Sequence, residues 1–281
     1  MVNTKGNEPP GENMVRFLVF ILFAFAFTNS NVVGFQTEPT PAQKPQEPSK
    51  EEKEKRQAKQ RARWSFQADE SLPNVLIIGD SISIGYTLEV RKQLAGKANV
   101  YRPMGNNGTP QNCQGTTLGV ESIDNWLAGH QWDVIHFNWG LHDLKHVKEA
   151  GASRNSNDPN DPYQATVEQY SQNLTAIVEK LKATDAKLIF ATTTPVVPES
   201  QGPLREADAP TRYNAAALEI MQTNEIEVND LFAFCSDKLE EIQLPKNVHF
   251  KAAGSRLLGE QVAQAIETNL AADDEAASDG Q

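Results

Sequence analysis

Short apolar runs alternate with amphipathic stretches over residues 73–270. Residues 163–181 place apolar side chains on one face at helical spacing, and a second such helix is predicted from Gly254. Strand and helix in alternation predict a parallel sheet covered on both faces through right-handed crossovers. The five apolar runs predicted to be strands are Val75–Ile78, Val100–Arg102, Val134–Phe137, Leu188–Thr192 and Ile226–Val228.

Residues 1–35 follow a different pattern. A polar leader and Arg16 precede the apolar run Phe17–Phe27, and the polar sequence TNSN follows it. One positive charge before an apolar run too short to span a bilayer comfortably is typical of a signal peptide. We therefore predict an exported protein, periplasmic or secreted. An uncleaved membrane anchor is the alternative, because no A-x-A cleavage site stands out.

Polar segments flank the domain predicted at 73–270. Residues 36–72 are rich in Pro, Glu, Lys and Gln and predict a linker or an isolated charged helix. Residues 271–281 are acidic, lack periodicity and are predicted to be disordered. With 39% hydrophobic residues the composition is that of an ordinary globular protein. A formal net charge of −11 argues against a nucleic-acid partner.

The polar segments that follow the predicted strands are the candidate functional segments, because the crevice of an open parallel sheet lies beyond the carboxyl ends of its strands. Gly79-Asp80-Ser81 follows the first strand and places a serine where the strand gives way to a helix. The other segments are "PMGNNGTPQNCQGTT" after the second strand, "NWGLHD" after the third and "NVHF" before the last helix. A serine, a glycine-rich turn and histidines thus converge on one edge of the sheet.

Taken in chain order, these four segments are four blocks, and three of them resemble in order and spacing the blocks of the SGNH hydrolases, the GDSL-type esterases. The resembling sequences are "IIGDSISIG" in the first block, "GLHD" in the third and "NVHFKAAGSRLLGEQVA" in the fourth. The resemblance covers about residues 74–270. It implies an α/β fold, a flavodoxin-like three-layer α/β/α sandwich with a mainly parallel five-stranded sheet. It also implies a serine-dependent carboxylic ester hydrolase without a cofactor, in which Ser81 is the nucleophile and His249 the base.

The same resemblance implies three donors to the oxyanion of the tetrahedral intermediate. These are the Ser81 backbone N–H, a glycine N–H from the loop after the second strand, and an asparagine side chain in the third block. Gly115 matches the glycine best, with Gly105 and Gly108 as alternatives. His142 stands at the asparagine position. A neutral imidazole can donate in one tautomer and a protonated one would stabilise the oxyanion more strongly, so we predict a pH dependence that involves two histidines.

The residue that orients the catalytic histidine departs from the family pattern. Family members commonly carry an aspartate three residues before the histidine, and Lys246 stands there in this chain. His249 must then be oriented by a backbone carbonyl, by Asn247, or by an acid from elsewhere, for which Asp230 and Asp237 are candidates. In a triad protease, losing the orienting carboxylate lowers kcat by about 10⁴.

Two cysteines, Cys113 and Cys235, are predicted in loops near the crevice. Export would permit a disulfide between them, and two free thiols are equally compatible with the sequence.

A metal site is not predicted. The histidines in and around the third block are predicted in a strand and a loop rather than on one helix face. The side chains that suggest such a site are His136, His142, Asp143 and His146.

These observations predict an exported serine esterase that removes short acyl groups, acetyl above all, from polysaccharide. The substrate class rests on analogy with exported family members. The predicted esterase would bind an acylated carbohydrate or another small ester. It would contact a membrane only if the segment containing residues 17–27 is not cleaved off. Two alternatives remain: a glycan-binding module, because the usual asparagine and aspartate are absent, and an anchored cell-envelope protein.

Overall fold

The computed structural model describes residues 49–278. The strands in this range are β1 Asn74–Ile78, β2 Asn99–Tyr101, β3 Val134–Phe137, β4 Lys187–Ala191 and β5 Glu227–Asn229. The helices are α1 Lys50–Trp64, α2 Ser81–Gln93, α3 Thr116–Leu127, α4 Val167–Lys182, α5 Ala209–Thr223, α6 Leu231–Ser236, α7 Leu239–Ile242 and α8 Ala252–Ser278.

All five predicted strands are confirmed, each within one residue of its predicted bounds, and they form one parallel sheet in the order β2-β1-β3-β4-β5. This is the flavodoxin-like order. The chain moves from β1 outward to β2, then back past β1 to β3 and on to β5. Right-handed crossovers therefore place α2 on one face and α3, α4 and α5 on the other. In agreement, α2 packs against α8, and α4 packs against both α3 and α5.

The core lies on both faces of the sheet. In β1, the run Val75–Ile78 has no residue more than 1% exposed, as expected for a central parallel strand. Helix α4 buries Tyr170, Leu174 and Ile177 at helical spacing. It begins at Val167 rather than at the predicted residue 163, because the Thr166 side chain accepts the Gln169 N–H and caps the helix there.

The charged segment before the domain forms α1 and is not isolated. Ser49 and Glu52 form a capping box at its start. Trp64 at its end is only 6% exposed, and its carbonyl oxygen accepts a 2.7 Å hydrogen bond from Arg91 Nη1. The Arg91 guanidinium also lies 5.7 Å from the centre of the indole ring. Of the two alternatives given for residues 36–72, a linker or an isolated helix, the structure shows a helix over Lys50–Trp64, and that helix is not isolated.

The last helix is longer than predicted. α8 begins at Ala252 and continues to Ser278, so residues 271–278 differ from the predicted disordered tail. The predicted signal peptide or anchor at 1–35 lies outside the described residues. Within 49–278, no helix has both the length and the apolarity needed to cross a bilayer.

Candidate active site

Ser81 lies at the turn between β1 and α2. The strand ends at Ile78, and Asp80 is the N-cap of α2, with its Oδ1 accepting a 2.9 Å hydrogen bond from the Ile82 N–H. Ser81 is the first residue of the helix, where backbone N–H groups have no intrahelical acceptor. Among the described residues, no acceptor binds the Ser81 N–H. The turn therefore presents both a hydroxyl and a free N–H at the carboxyl edge of the sheet.

His249 contacts Ser81 directly. Its Nε2 lies 2.9 Å from Ser81 Oγ, and its Nδ1 lies 2.8 Å from Asn247 Oδ1. Asn247 Oδ1 also accepts a 3.0 Å hydrogen bond from the His249 backbone N–H, and this bond fixes which atom of the amide is the oxygen. Because that oxygen can only accept, the ring proton lies on Nδ1. Nε2 is then the acceptor for the Ser81 hydroxyl.

Asn247 is the orienting candidate that the structure brings to His249. Asp230 instead caps α6, where its Oδ1 accepts hydrogen bonds from Thr192 Oγ1 at 2.8 Å and from the Ala233 N–H at 3.0 Å. Asp237 is the C-cap residue of the same helix. The suggestions of Asp230 and Asp237 as orienting acids are therefore wrong.

Of the three candidate glycines, Gly115 has a free backbone N–H. The Gly105 N–H donates to Thr109 O at 2.8 Å and the Gly108 N–H donates to Gly105 O at 2.9 Å, so both are used within a turn. Gly115 is the N-cap of α3, and none of the described residues accepts its N–H. A Cβ at Gly115 would lie 3.0 Å from Asp143 Oδ1, so a larger residue there would require the Asp143 carboxylate to shift.

Asp143 joins the third block to the start of α3. Its Oδ1 accepts hydrogen bonds from the Thr116 N–H at 2.8 Å and from Thr116 Oγ1 at 2.6 Å. Burial raises the pKa of Asp143 to about 7, against the opposing effect of these two bonds. Sequence analysis considered Asp143 only as a metal ligand. In the sequence, the indication that Asp143 belongs to the active-site region was its position directly after His142.

His142 is neutral. Burial, followed by the charges of Lys145, Arg205 and His249, lowers its pKa to about 3. The prediction that a protonated His142 contributes to the pH dependence is therefore wrong. Lys145 Nζ lies 3.5 Å from His142 Nδ1, and an ammonium can only donate. Nδ1 is thus the acceptor and Nε2 carries the proton.

The backbone turn before His142 also requires glycine. Gly140 has a φ of +146°, and a Cβ there would lie 2.1 Å from Thr193 Oγ1. The Thr193 hydroxyl in turn donates to Trp139 O at 3.0 Å. This packing holds the third block against the residues that follow β4.

Cys113 and Cys235 are both free and buried, so the suggested disulfide is not formed. Burial raises the pKa of Cys113 to about 11 and that of Cys235 to about 12. Neither thiol is therefore a thiolate at neutral pH.

The two histidines that flank the third block, His136 and His146, have separate partners. His136 is fully buried in β3, with its Nε2 3.3 Å from Asn229 Nδ2. His146 Nδ1 lies 2.6 Å from Asp161 O. In the described part of the chain, no group of three or more histidine, cysteine or acidic side chains is arranged to hold a metal ion.

Comparison with known proteins identifies the family. The sequence model of the GDSL-like lipase/acylhydrolase family matches residues 77–257, which is more than half of the chain and includes Ser81 and His249. The chain belongs to this family. Membership of the GDSL/SGNH hydrolases implies an ester hydrolase.

Solved structures share the fold. A lipase/acylhydrolase from Enterococcus faecalis superposes with a TM-score of 0.54 at 19% identity, covering 70% of this chain and 96% of the other. An acetyl xylan esterase, AlAXEase, gives a TM-score of 0.54 at 15% identity, covering 69% of this chain and 99% of the other. At such identities the likeness shows the α/β fold alone. No curated protein matches the chain.

Proposed function

We propose that this protein is an exported serine esterase that hydrolyses short acyl esters, acetyl above all, on polysaccharide through an acyl-enzyme on Ser81. The observation that carries the proposal is the 2.9 Å contact between Ser81 Oγ and His249 Nε2, with the ring tautomer set by Asn247. An unactivated serine hydroxyl is a poor nucleophile, and this contact supplies the base that it needs.

In the proposed reaction, Ser81 Oγ attacks the ester carbonyl while His249 Nε2 takes its proton. The tetrahedral intermediate collapses as His249 returns that proton to the leaving alcohol. Water then attacks the acyl-enzyme with His249 again as the base, and the carboxylic acid leaves Ser81. Asn247 holds the ring and stabilises the imidazolium through the neutral amide oxygen instead of a carboxylate.

Three N–H groups are proposed to bind the oxyanion: the backbone N–H of Ser81, the backbone N–H of Gly115 and Nε2–H of His142. The two backbone groups have no acceptor among the described residues, so both are available to the substrate. Lys145 supports the third, because its contact at Nδ1 directs the His142 proton to Nε2.

The choice of a short acyl group on a polysaccharide rests on analogy with exported family members. The acetyl xylan esterase with the same fold is consistent with acetyl release from a polysaccharide. Export rests on the predicted signal peptide alone.

The test is hydrolysis of p-nitrophenyl acetate, p-nitrophenyl octanoate and acetylated xylan by the wild type and by Ser81→Ala. Ser171→Ala is the control, because the Ser171 hydroxyl only bonds the Val167 carbonyl within α4. We expect acetate release by the wild type and the control, a preference for acetate over octanoate, and no activity in Ser81→Ala. A folded wild type that turns over no ester yet binds xylan would support the glycan-binding module instead.

A further inference from the structure

Two cations lie beside the proposed oxyanion donor His142. Arg205 follows β4 in the sequence, and its Nε donates a 2.8 Å hydrogen bond to the carbonyl of Leu141, the residue before His142. Lys145 Nζ lies 3.5 Å from His142 Nδ1. The loop after β3 and the loop after β4 thus bring one guanidinium and one ammonium to the same part of the site.

Neither cation has an ion-pair partner among residues 49–278. The acids that act on them are Asp80 for Arg205 and Asp143 for Lys145, and neither forms a salt bridge with its cation. Both acids are buried and have raised pKa values, and that of Asp143 is about 7. At neutral pH, Asp143 is therefore charged only part of the time, and it compensates Lys145 incompletely.

Both cations are also partly removed from water. Lys145 is only 5% exposed, and its pKa is lowered by burial and by the charge of Arg205. Burial lowers the pKa of Arg205 to about 10. Two neighbouring positive charges with little hydration and no paired acid are unfavourable in the free protein. An anion bound between them would relieve this cost.

The two side chains have unused hydrogen-bond donors. Of the five N–H donors of Arg205, the structure pairs the one on Nε. Its Nη atoms have no partner among the described residues, and they are not among the buried unpaired atoms, so solvent reaches them. A planar guanidinium with two free Nη atoms fits a carboxylate or sulfate group through two parallel bonds.

We propose that Arg205 and Lys145 form an anion-binding subsite next to the reacting ester, so that the substrate is an acyl ester on an acidic saccharide. The shared chemistry is an oxyanion group on the sugar, either the carboxylate of a uronic acid or a sulfate ester. This inference rests on the proposed esterase function and specifies its substrate class. Arg205 and Lys145 are specificity-determining residues in this account.

The experiment compares three acetylated methyl glycosides that differ at one carbon: a galactopyranosiduronate, the neutral galactopyranoside and its 6-O-sulfate. We expect kcat/KM for at least one anionic glycoside to exceed that for the neutral one by about tenfold or more, since a charged hydrogen bond contributes about 1.5–3 kcal/mol. Comparing the galactopyranosiduronate with the 6-O-sulfate identifies which of the two anions is preferred. Equal kcat/KM values on all three substrates would overturn the proposal.

Variants separate anion binding from simple positioning of His142. Arg205→Gln should lower the ratio of anionic to neutral kcat/KM by about 10- to 100-fold, and Arg205→Lys should give an intermediate ratio, because the charge stays and the planar fork is lost. Lys180→Gln is the control: it removes the same charge from the end of α4 at the opposite edge of the sheet. An equal loss on anionic and neutral substrates in Arg205→Gln would show a positioning role and contradict the subsite.

A binding measurement keeps this inference distinct from the esterase proposal. Calorimetric titration of Ser81→Ala with the acetylated galactopyranosiduronate should give measurable affinity that Arg205→Gln weakens at least tenfold in the same background. Hydrolysis of neutral esters with no preference for anionic ones would support the esterase proposal and refute the anion-binding subsite. Arg205-dependent binding in a protein that hydrolyses no ester would support the subsite and refute the esterase.

Discussion

Replacing Asn247 with aspartate changes the residue that orients His249 by a single atom. Asn247 Oδ1 lies 2.8 Å from His249 Nδ1 and 3.0 Å from the His249 backbone nitrogen, and an aspartate oxygen can accept both bonds in the same place. The substitution adds a negative charge next to a ring that becomes positive in the transition state. We therefore expect Asn247→Asp to be more active than the wild type.

The size of the gain follows from the kind of hydrogen bond. A neutral hydrogen bond contributes about 1 kcal/mol and one to a charged group about 1.5–3 kcal/mol. The gain is the difference between the two, about 0.5–2 kcal/mol. Because His249 is exposed, water screens the new charge, and we take a value in the lower half of this range, about 1 kcal/mol. This predicts a rise in kcat of about fivefold. The carboxylate also favours the protonated ring, so the pH below which activity falls should move upward. Asn247→Ala should instead lose activity, by about tenfold, because the ring tautomer is no longer fixed.

The assay is initial-rate hydrolysis of p-nitrophenyl acetate from pH 5 to 9. Asn107→Asp is the matched control, because Asn107 is exposed and its Oδ1 likewise accepts the N–H two residues later, from Thr109. The control should match the wild type. If Asn247→Asp and Asn247→Ala both kept wild-type kcat and an unchanged pH profile, Asn247 would not orient His249, and the reasoning would be refuted.

Three further predictions concern His142, Asp143 and Trp64. His142→Ala should lower kcat by about 10²–10³, the effect of losing one oxyanion donor, while His142→Asn should keep the wild-type pH profile from pH 5 to 9, because the pKa of His142 is about 3. The raised pKa of Asp143 means that the folded protein holds this proton more tightly than the unfolded chain. In urea unfolding, the free energy of unfolding of the wild type should thus fall relative to that of Asp143→Asn as the pH rises from about 4 to 7. If the difference between the two free energies did not change with pH, the raised pKa of Asp143 would be contradicted. Trp64→Ala should lower the free energy of unfolding by about 3 kcal/mol, and a change below about 0.5 kcal/mol would mean that α1 does not pack on the domain.

The sheet could be predicted from sequence because each strand is a short apolar run bounded by polar turns. The buried β1 run and the one-face pattern of α4 are local signals that tertiary contacts reinforce. The packing of α1 could not be predicted, because its charged composition is that of a solvated helix. The buried side chain of α1, Trp64, packs on the domain through a contact with Arg91, which is distant in sequence.

The proposed nucleophile and base could be predicted because each belongs to a contiguous block of sequence. The choice of the glycine that donates to the oxyanion required the structure, because it depends on which backbone N–H groups already donate within a turn. Gly105 and Gly108 are excluded because their N–H groups do so. Arg205 was missed for a related reason. Arg205 lies in a polar loop whose composition resembles that of any solvent-facing loop. Its place at the site follows from its hydrogen bond to Leu141, 64 residues earlier in the chain.

Covalent labelling tests the central claim most directly. The full chain is treated with a fluorophosphonate, which reacts with activated serines, and the modified peptide is located by mass spectrometry. The account predicts a single adduct on Ser81, absent in Ser81→Ala and strongly slowed in His249→Ala. A folded wild type that stays unmodified, or an adduct that persists in Ser81→Ala, would contradict it.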